Sequence, residues 1–178
     1  MKFTTTALEG VLLVDIERHT DERGFFARTW CAREFAAAGI DTPLVQTSVS
    51  WNARRGTLRG MHFQRPPSRE GKLVRCTRGR MLDVLVDLRP ESATFLKHVR
   101  VELEAETYRA VYVPPGVAHG FQTLVDDTEV LYCMTDYHAP ELAAGVRWND
   151  PAFGIEWPIT PPIMNARDAS YPDFQGAA

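Results

Sequence analysis

Between Gly56 and Lys72 the chain reads G-T-L-R-G-M-H-F-Q-R-P-P-S-R-E-G-K, which sets an arginine, a histidine, a glutamine and a lysine among glycines and a Pro-Pro pair. A strand with only a structural duty rarely needs so many reactive heads. At a rise of roughly 3.3 Å per residue, Arg59 and His62 lie about one side-chain reach apart. Arg59 suits a phosphate or carboxylate through its planar fork. His62 exchanges a proton near neutral pH. Lys72 follows a turn, so it is expected on the neighbouring strand as a second cation. Together these residues describe a site for an anionic substrate that undergoes proton transfer. Parity adds a condition: residues three apart on a regular strand point to opposite faces. For Arg59 and His62 to share one pocket, the strand must bulge or kink near Gly60.

The elements that must position this stretch are mostly short strands. Residues 11–16 form an apolar run of strand length, and 21–30 hold a turn at Gly24 leading into an aromatic strand. Residues 31–38 are alanine-rich with Gly39 as a stop, the one clear helix. Further strands are expected at 44–51, 57–64, 72–78, 81–88, 97–104, 108–113, 119–124 and 129–136. In M-L-D-V-L-V-D-L, residues Leu82, Val84, Val86 and Leu88 share one face, and Asp83 and Asp87 the other. Val113-Pro114-Pro115-Gly116 is a tight turn. The tail from Pro151 is proline-rich and is expected to wrap the surface without long elements. Evenly spaced short strands with little helix indicate an all-β jelly roll, and residues 1–178 read as one domain.

With 178 residues, 44% of them hydrophobic, the chain is long enough for a proper core. A net charge of −3 argues against general nucleic-acid binding, so the local cations point to a small anionic ligand. Three cysteines, Cys31, Cys76 and Cys133, without CxxC spacing fit reduced, packed thiols. No apolar run reaches the length of a membrane span and no signal-peptide pattern opens the chain; a cytoplasmic location is expected.

Other candidates have ordinary alternatives. His119, after the Pro-Pro-Gly turn, would alone be a histidine bonded to backbone; its pairing with His62 raises the functional reading. Tyr132 shares a face with Val130 and Met134, as core tyrosines do, or else donates a proton into a pocket. Arg23 caps a turn or pairs with Asp21, and Phe26 is core or stacks on a base. Asp168 is a solvated turn residue unless the tail folds back to orient an imidazole. No H-x-H occurs, and Lys72 would repel a dication from a set of His62, Glu70 and His119, so neither a metal nor another cofactor is expected.

Several motifs occur in order: D-E-R-G-F-F at 21–26, G-T-L-R-G-M-H-F-Q at 56–64, G-K-L-V-R at 71–75, D-V-L-V-D-L-R at 83–89, P-P-G-V-A-H-G-F at 114–121, L-Y-C-M-T-D-Y at 131–137 and W-N-D-P at 148–151. In these the chain resembles the dTDP-4-dehydrorhamnose 3,5-epimerases, which act on nucleotide-linked 4-keto-6-deoxy sugars. The resemblance implies a metal-free cupin-type jelly roll and a homodimer whose N-terminal strands cross between subunits. It implies His62 as base, Asp168 as its carboxylate partner, Tyr132 as acid and Lys72 beside the keto oxygen. Arg23, Arg59 and His119 match residues near the diphosphate and sugar. The chemistry needs these types: a C–H beside a ketone yields its proton only to a placed base with a cation where enolate charge develops.

The departures gather at the nucleotide end. Arg28 stands where the family has glutamate, Ser48 (after Gln46) where it has asparagine, His138 where it has tyrosine, Ala143 where it has glutamate and Arg167 where it has lysine. The expectation is an epimerase acting at C3, C5 or both, on a sugar whose nucleotide need not be dTDP. The alternatives are a non-catalytic sugar-nucleotide-binding barrel and a metal-dependent cupin.

Overall fold

A computed structural model describes residues 1–176. Thirteen strands and two short helices follow in order. They are β1 (Lys2–Thr5), β2 (Leu12–Asp15), β3 (His19–Asp21), β4 (Gly24–Phe26), α1 (Ala32–Ala37), β5 (Gln46–Asn52), β6 (Leu58–Gln64), β7 (Lys72–Arg78) and β8 (Arg80–Asp87). Then come β9 (His98–Glu104), β10 (Ala110–Val113), β11 (Val117–Thr123), β12 (Thr128–Met134), β13 (Ala143–Gly145) and α2 (Ala166–Ala169). The antiparallel strands form a six-stranded sheet, β1-β2-β10-β7-β12-β5, facing a five-stranded sheet, β13-β6-β11-β8-β9, with β3-β4 as a separate hairpin. This is a cupin-type jelly roll. Among the described residues no helix is long and apolar enough to cross a membrane.

Most strands fall where alternation predicts them, with ends moved by a residue or two, though the aromatic strand after Gly24 stops at Phe26. β1, β3 and β13 are additions: all three are short and carry little apolar signal. β8 explains the layering. Met81 and Leu85 point between the sheets, into a core shared with Val74, Val111, Phe121 and Val130. Leu82, Val84 and Val86 point the other way, where Phe153 and Trp157 of the tail cover them. Both faces of β8 are therefore buried, and Asp83 and Asp87 are fully enclosed. Helix α1 lays Phe35 on the outer side of the first sheet, against Val14, Leu73 and Tyr112.

The irregularity required at Gly60 is present. His62 pairs with His119 and Arg59 with Phe121, and the register shifts between those two pairs. Gly60 and Met61 on β6 thus oppose Gly120 alone. Gly60 takes φ +140°, open essentially to glycine, and a Cβ there would stand 2.5 Å from the Gly120 Cα. The extra residue turns Arg59 and His62 to the same side of the sheet. Gly60→Ala is expected to destabilise the protein by roughly 2–4 kcal/mol through strain and overlap. Urea unfolding measures it; a loss within about 0.5 kcal/mol, the range of an ordinary surface change, would show that the two strands have room to spare.

Candidate active site

Six strands and the tail bring the site together. β6 supplies Arg59 and His62, β11 supplies His119 opposite His62, and β8 places Asp83 opposite Phe121. In the facing sheet, Lys72 of β7 lies opposite Met134 of β12, and Tyr132 lies opposite Val74. Ser48 and Gln46 of β5 lie opposite Tyr132 and Met134. Directly paired residues share a face, so Gln46, Ser48, Lys72 and Tyr132 stand on the side that looks toward β6 and β11.

The tail closes this arrangement. Asn165 caps α2 by accepting the Asp168 N–H at 2.7 Å, and the turn aims the Asp168 carboxylate at the barrel. One oxygen lies 2.9 Å from His62 Nε2, and the other accepts the Gly60 N–H at 3.2 Å. Asp168 is 2% exposed while His62 keeps 40% of its side chain open. Burial pushes the Asp168 carboxyl up, but the His62 hydrogen bond and charge, the Gly60 N–H and Arg167 outweigh it, and the group lies below the usual aspartate range. With Nε2 engaged by Asp168, Nδ1 is the ring atom left to take a proton from a ligand.

A cavity of about 240 Å³ opens beside this pair, lined by His62, Lys72, Glu70, Gln64, His138 and Arg167 among others. The Lys72 ammonium is largely buried, 3.3 Å from a Glu70 carboxylate oxygen. Glu70 is therefore the partner of a cation rather than a third donor for a metal. The His138 N–H is held by Gln46 Oε1 at 3.2 Å.

A second cluster adjoins the first through His119. Its Nε2 lies 2.6 Å from Asp83 Oδ1, while Asp83 Oδ2 has no partner among the described residues. The His119 ring meets the Tyr132 ring edge-on, with centroids 5.9 Å apart. Burial raises the Asp83 carboxyl against the pull of His119 and Lys72. Burial, then the Asp83 charge, also raises the Tyr132 phenol, with Arg59 opposing. The phenol therefore holds its proton at neutral pH, as a donor must. Arg59 itself is steered by Asn52, whose Oδ1 accepts its Nε–H at 2.8 Å.

The structure brings His62, Lys72, His138 and Arg167 together around the cavity, with Asp168 buried behind His62. Arg59, His119, Tyr132, Gln46 and Ser48 do not line it; they stand on neighbouring strand positions of the two sheets. It does not bring Arg23, Phe26 or Arg28 there. They lie on or just after the β3-β4 hairpin, where Arg23 pairs with Asp21 and Arg28 with Glu34 at 3.0 Å. Phe26 is 73% exposed. Asp83 and Asn52 are site residues to which the sequence assigns no role; for Asp83 the one available signal is its place, with Asp87, in the apolar run of β8.

Comparison with known proteins agrees with this geometry. The model of the family described as dTDP-4-dehydrorhamnose 3,5-epimerase matches residues 5–176. The chain belongs to that family. Within the dTDP-4-dehydrorhamnose 3,5-epimerase family it is 43% identical to the Salmonella typhimurium protein of that name over 169 residues, 94% of this chain and 92% of that one. It superposes on the Bacillus anthracis dTDP-4-dehydrorhamnose 3,5-epimerase, solved with TDP and pyrophosphate, with a TM-score of 0.93 and 37% identity, covering 97% of this chain and 99% of that chain. A 3'-monoepimerase from Streptomyces bikiniensis in complex with dTDP-quinovose gives a TM-score of 0.87 at 34% identity, covering 94% of this chain and 85% of that one. The chain is an isomerase of the epimerase type.

Because the folded-state pKa of Asp168 is depressed, its carboxylate stabilises the protein above the ordinary aspartate pKa of about 4. That contribution is lost as pH falls through the folded value. Stability of the wild type should therefore fall more steeply below about pH 4 than that of Asp168→Asn, measured by urea unfolding across the acid range. Parallel profiles would mean the carboxylate is not held by His62.

Proposed function

We propose that this epimerase inverts C3, C5 or both in the 4-keto-6-deoxyhexose of a nucleoside diphosphate sugar. The observation that carries the reading is His62, held by the buried Asp168, opening onto the same cavity as Lys72. Nδ1 of His62 removes the proton alpha to the ketone, and Asp168 stabilises the imidazolium that forms. The Lys72 ammonium, itself largely buried, meets the developing enolate oxygen, and a fixed charge at a buried position is worth more than in solvent. Inversion requires the returning proton to arrive from the opposite side. Tyr132 is the donor on the facing sheet, its phenol kept protonated by burial and by Asp83. No step needs a metal ion or a redox cofactor, since carbon changes only its proton.

We assign the diphosphate to Arg59, His138 and Arg167, the donors and cations beside the sugar end. For the base, dTDP is the first choice, because both solved relatives described above hold thymidine nucleotides. The departure that most favoured another base, Arg28, has its fork engaged by Glu34 in the chain itself. Deuterated solvent tests the whole reading. The protein with a dTDP-4-keto-6-deoxyhexose should wash deuterium into C3 or C5, read by NMR, and faster than with the GDP-, CDP- or UDP-linked sugar. His62→Ala should lower the rate by at least about 100-fold, the scale of a general base. Tyr132→Phe should retain exchange while impairing inversion. No exchange with any of these sugars would remove the enzyme reading and leave a binding barrel.

A homodimer completes the proposal. Strand β5 is an unpaired sheet edge exposing Val49 and Trp51, and the β3-β4 hairpin exposes Phe25 and Phe26. Apolar side chains on a bare edge favour a second copy. Such a copy would give Arg23, Phe26 and Arg28 a cavity to serve, the partner's rather than their own. Sedimentation at micromolar concentration should report a dimer; a folded monomer there would leave those three residues without a role.

A further inference from the structure

One hydrogen bond leaves the catalytic imidazole underdetermined. The Asp168 contact fixes Nε2, but the ring remains free to swing about the line joining the two groups, carrying Nδ1 with it. The aromatic ring set against it is that of Tyr171, three residues beyond Asp168. Its ring meets the His62 ring edge-on, with centroids 6.2 Å apart and planes at 70°.

The seat of that ring is built into the sheet. Gly145 of β13 pairs directly with His62. A Cβ at Gly145 would overlap Cζ and Cε2 of Tyr171 and stand 2.8 Å from the Met61 carbonyl, so only glycine leaves room for the ring. The Tyr171 hydroxyl is buried without a hydrogen-bond partner among the described residues. A buried, unsatisfied hydroxyl contributes nothing to anchoring, so whatever holds the ring is its shape.

We infer that Tyr171 is a positioning residue: its ring, seated on Gly145, fixes the plane of the His62 imidazole while Asp168 fixes its edge. The inference rests on the reading of His62 as base, and one of its two measurements needs no substrate. A hydrogen-bonded imidazole N–H gives a low-field proton resonance, assigned here by its loss in His62→Gln. That signal should be sharp in the wild type and broadened or absent in Tyr171→Leu, which keeps apolar volume without a ring. In the deuterium-exchange assay Tyr171→Leu should lose about 10- to 100-fold in kcat with KM within about threefold, the signature of a misplaced reacting group. Tyr171→Phe, which returns the ring alone, should recover both the resonance and kcat without lowering the melting temperature. Gly145→Ala should reproduce the Leu phenotype by displacing the ring, which covers the case of a Tyr171→Leu protein that does not fold.

A Leu variant with the wild-type resonance and kcat would overturn the inference. So would a Phe variant as impaired as the Leu variant, since the hydroxyl would then be the acting group. Absence of exchange in the wild type would instead refute the reading of His62, while the resonance still decides whether Tyr171 orders the ring.

Discussion

The hydrogen bond from Asp168 to His62 spans 106 residues of sequence and joins the tail to the central strand of the site. A charge-assisted bond of this kind contributes about 1.5–3 kcal/mol, too little to hold the tail alone. The apolar burial of Phe153 and Trp157 against β8 stabilises the docked tail more, at roughly 1.5–3 kcal/mol for each fully buried large side chain. Packing thus delivers the tail to the barrel, and the Asn165 cap and the hydrogen bond set the last ångström. His62 is aimed only when that closure is complete, so folding of the tail and assembly of the base are one event.

Three reactive heads of the site are each set against a carboxylate. Lys72 faces Glu70, His119 faces Asp83 and His62 faces Asp168. Such contacts are poor stabilisers, because the desolvation of a buried charged group offsets most of the attraction. Their use is preorganisation: each reactive head is held in place before a ligand arrives, in surroundings where little solvent must reorient as charge moves from a carbon to an enolate. The buried Asp83 charge has a second effect, since it disfavours phenolate at Tyr132 and keeps the donor loaded.

Two glycines do what no side chain could. Gly60 lets β6 gain a residue against β11, and Gly120 lets that extra backbone come close. Without the gain, the three-residue spacing of Arg59 and His62 would set the cation and the base on opposite sides of the sheet. The parity conflict is visible in the linear order of residues, and so is the glycine that resolves it. The paths of β1 and β13 are not, because three or four weakly apolar residues carry no period to read.

The linear sequence determined the strand pattern, the family motifs and the reactive residue types, because hydrophobic alternation and side-chain chemistry are local properties. It also determined that His62 would need an irregular strand to act with Arg59. Which carboxylates would be buried, and against what, was decided only by the tertiary structure. Asp168 is a turn residue until α2 docks, and Asp83 is one polar interruption in β8 until two sheets close over it. Arg23 and Phe26 show the converse, since a shared motif did not bring them to the cavity of their own chain. The physical reason is common to all: burial and distance depend on what packs on an element from elsewhere in the chain, and no local period encodes that.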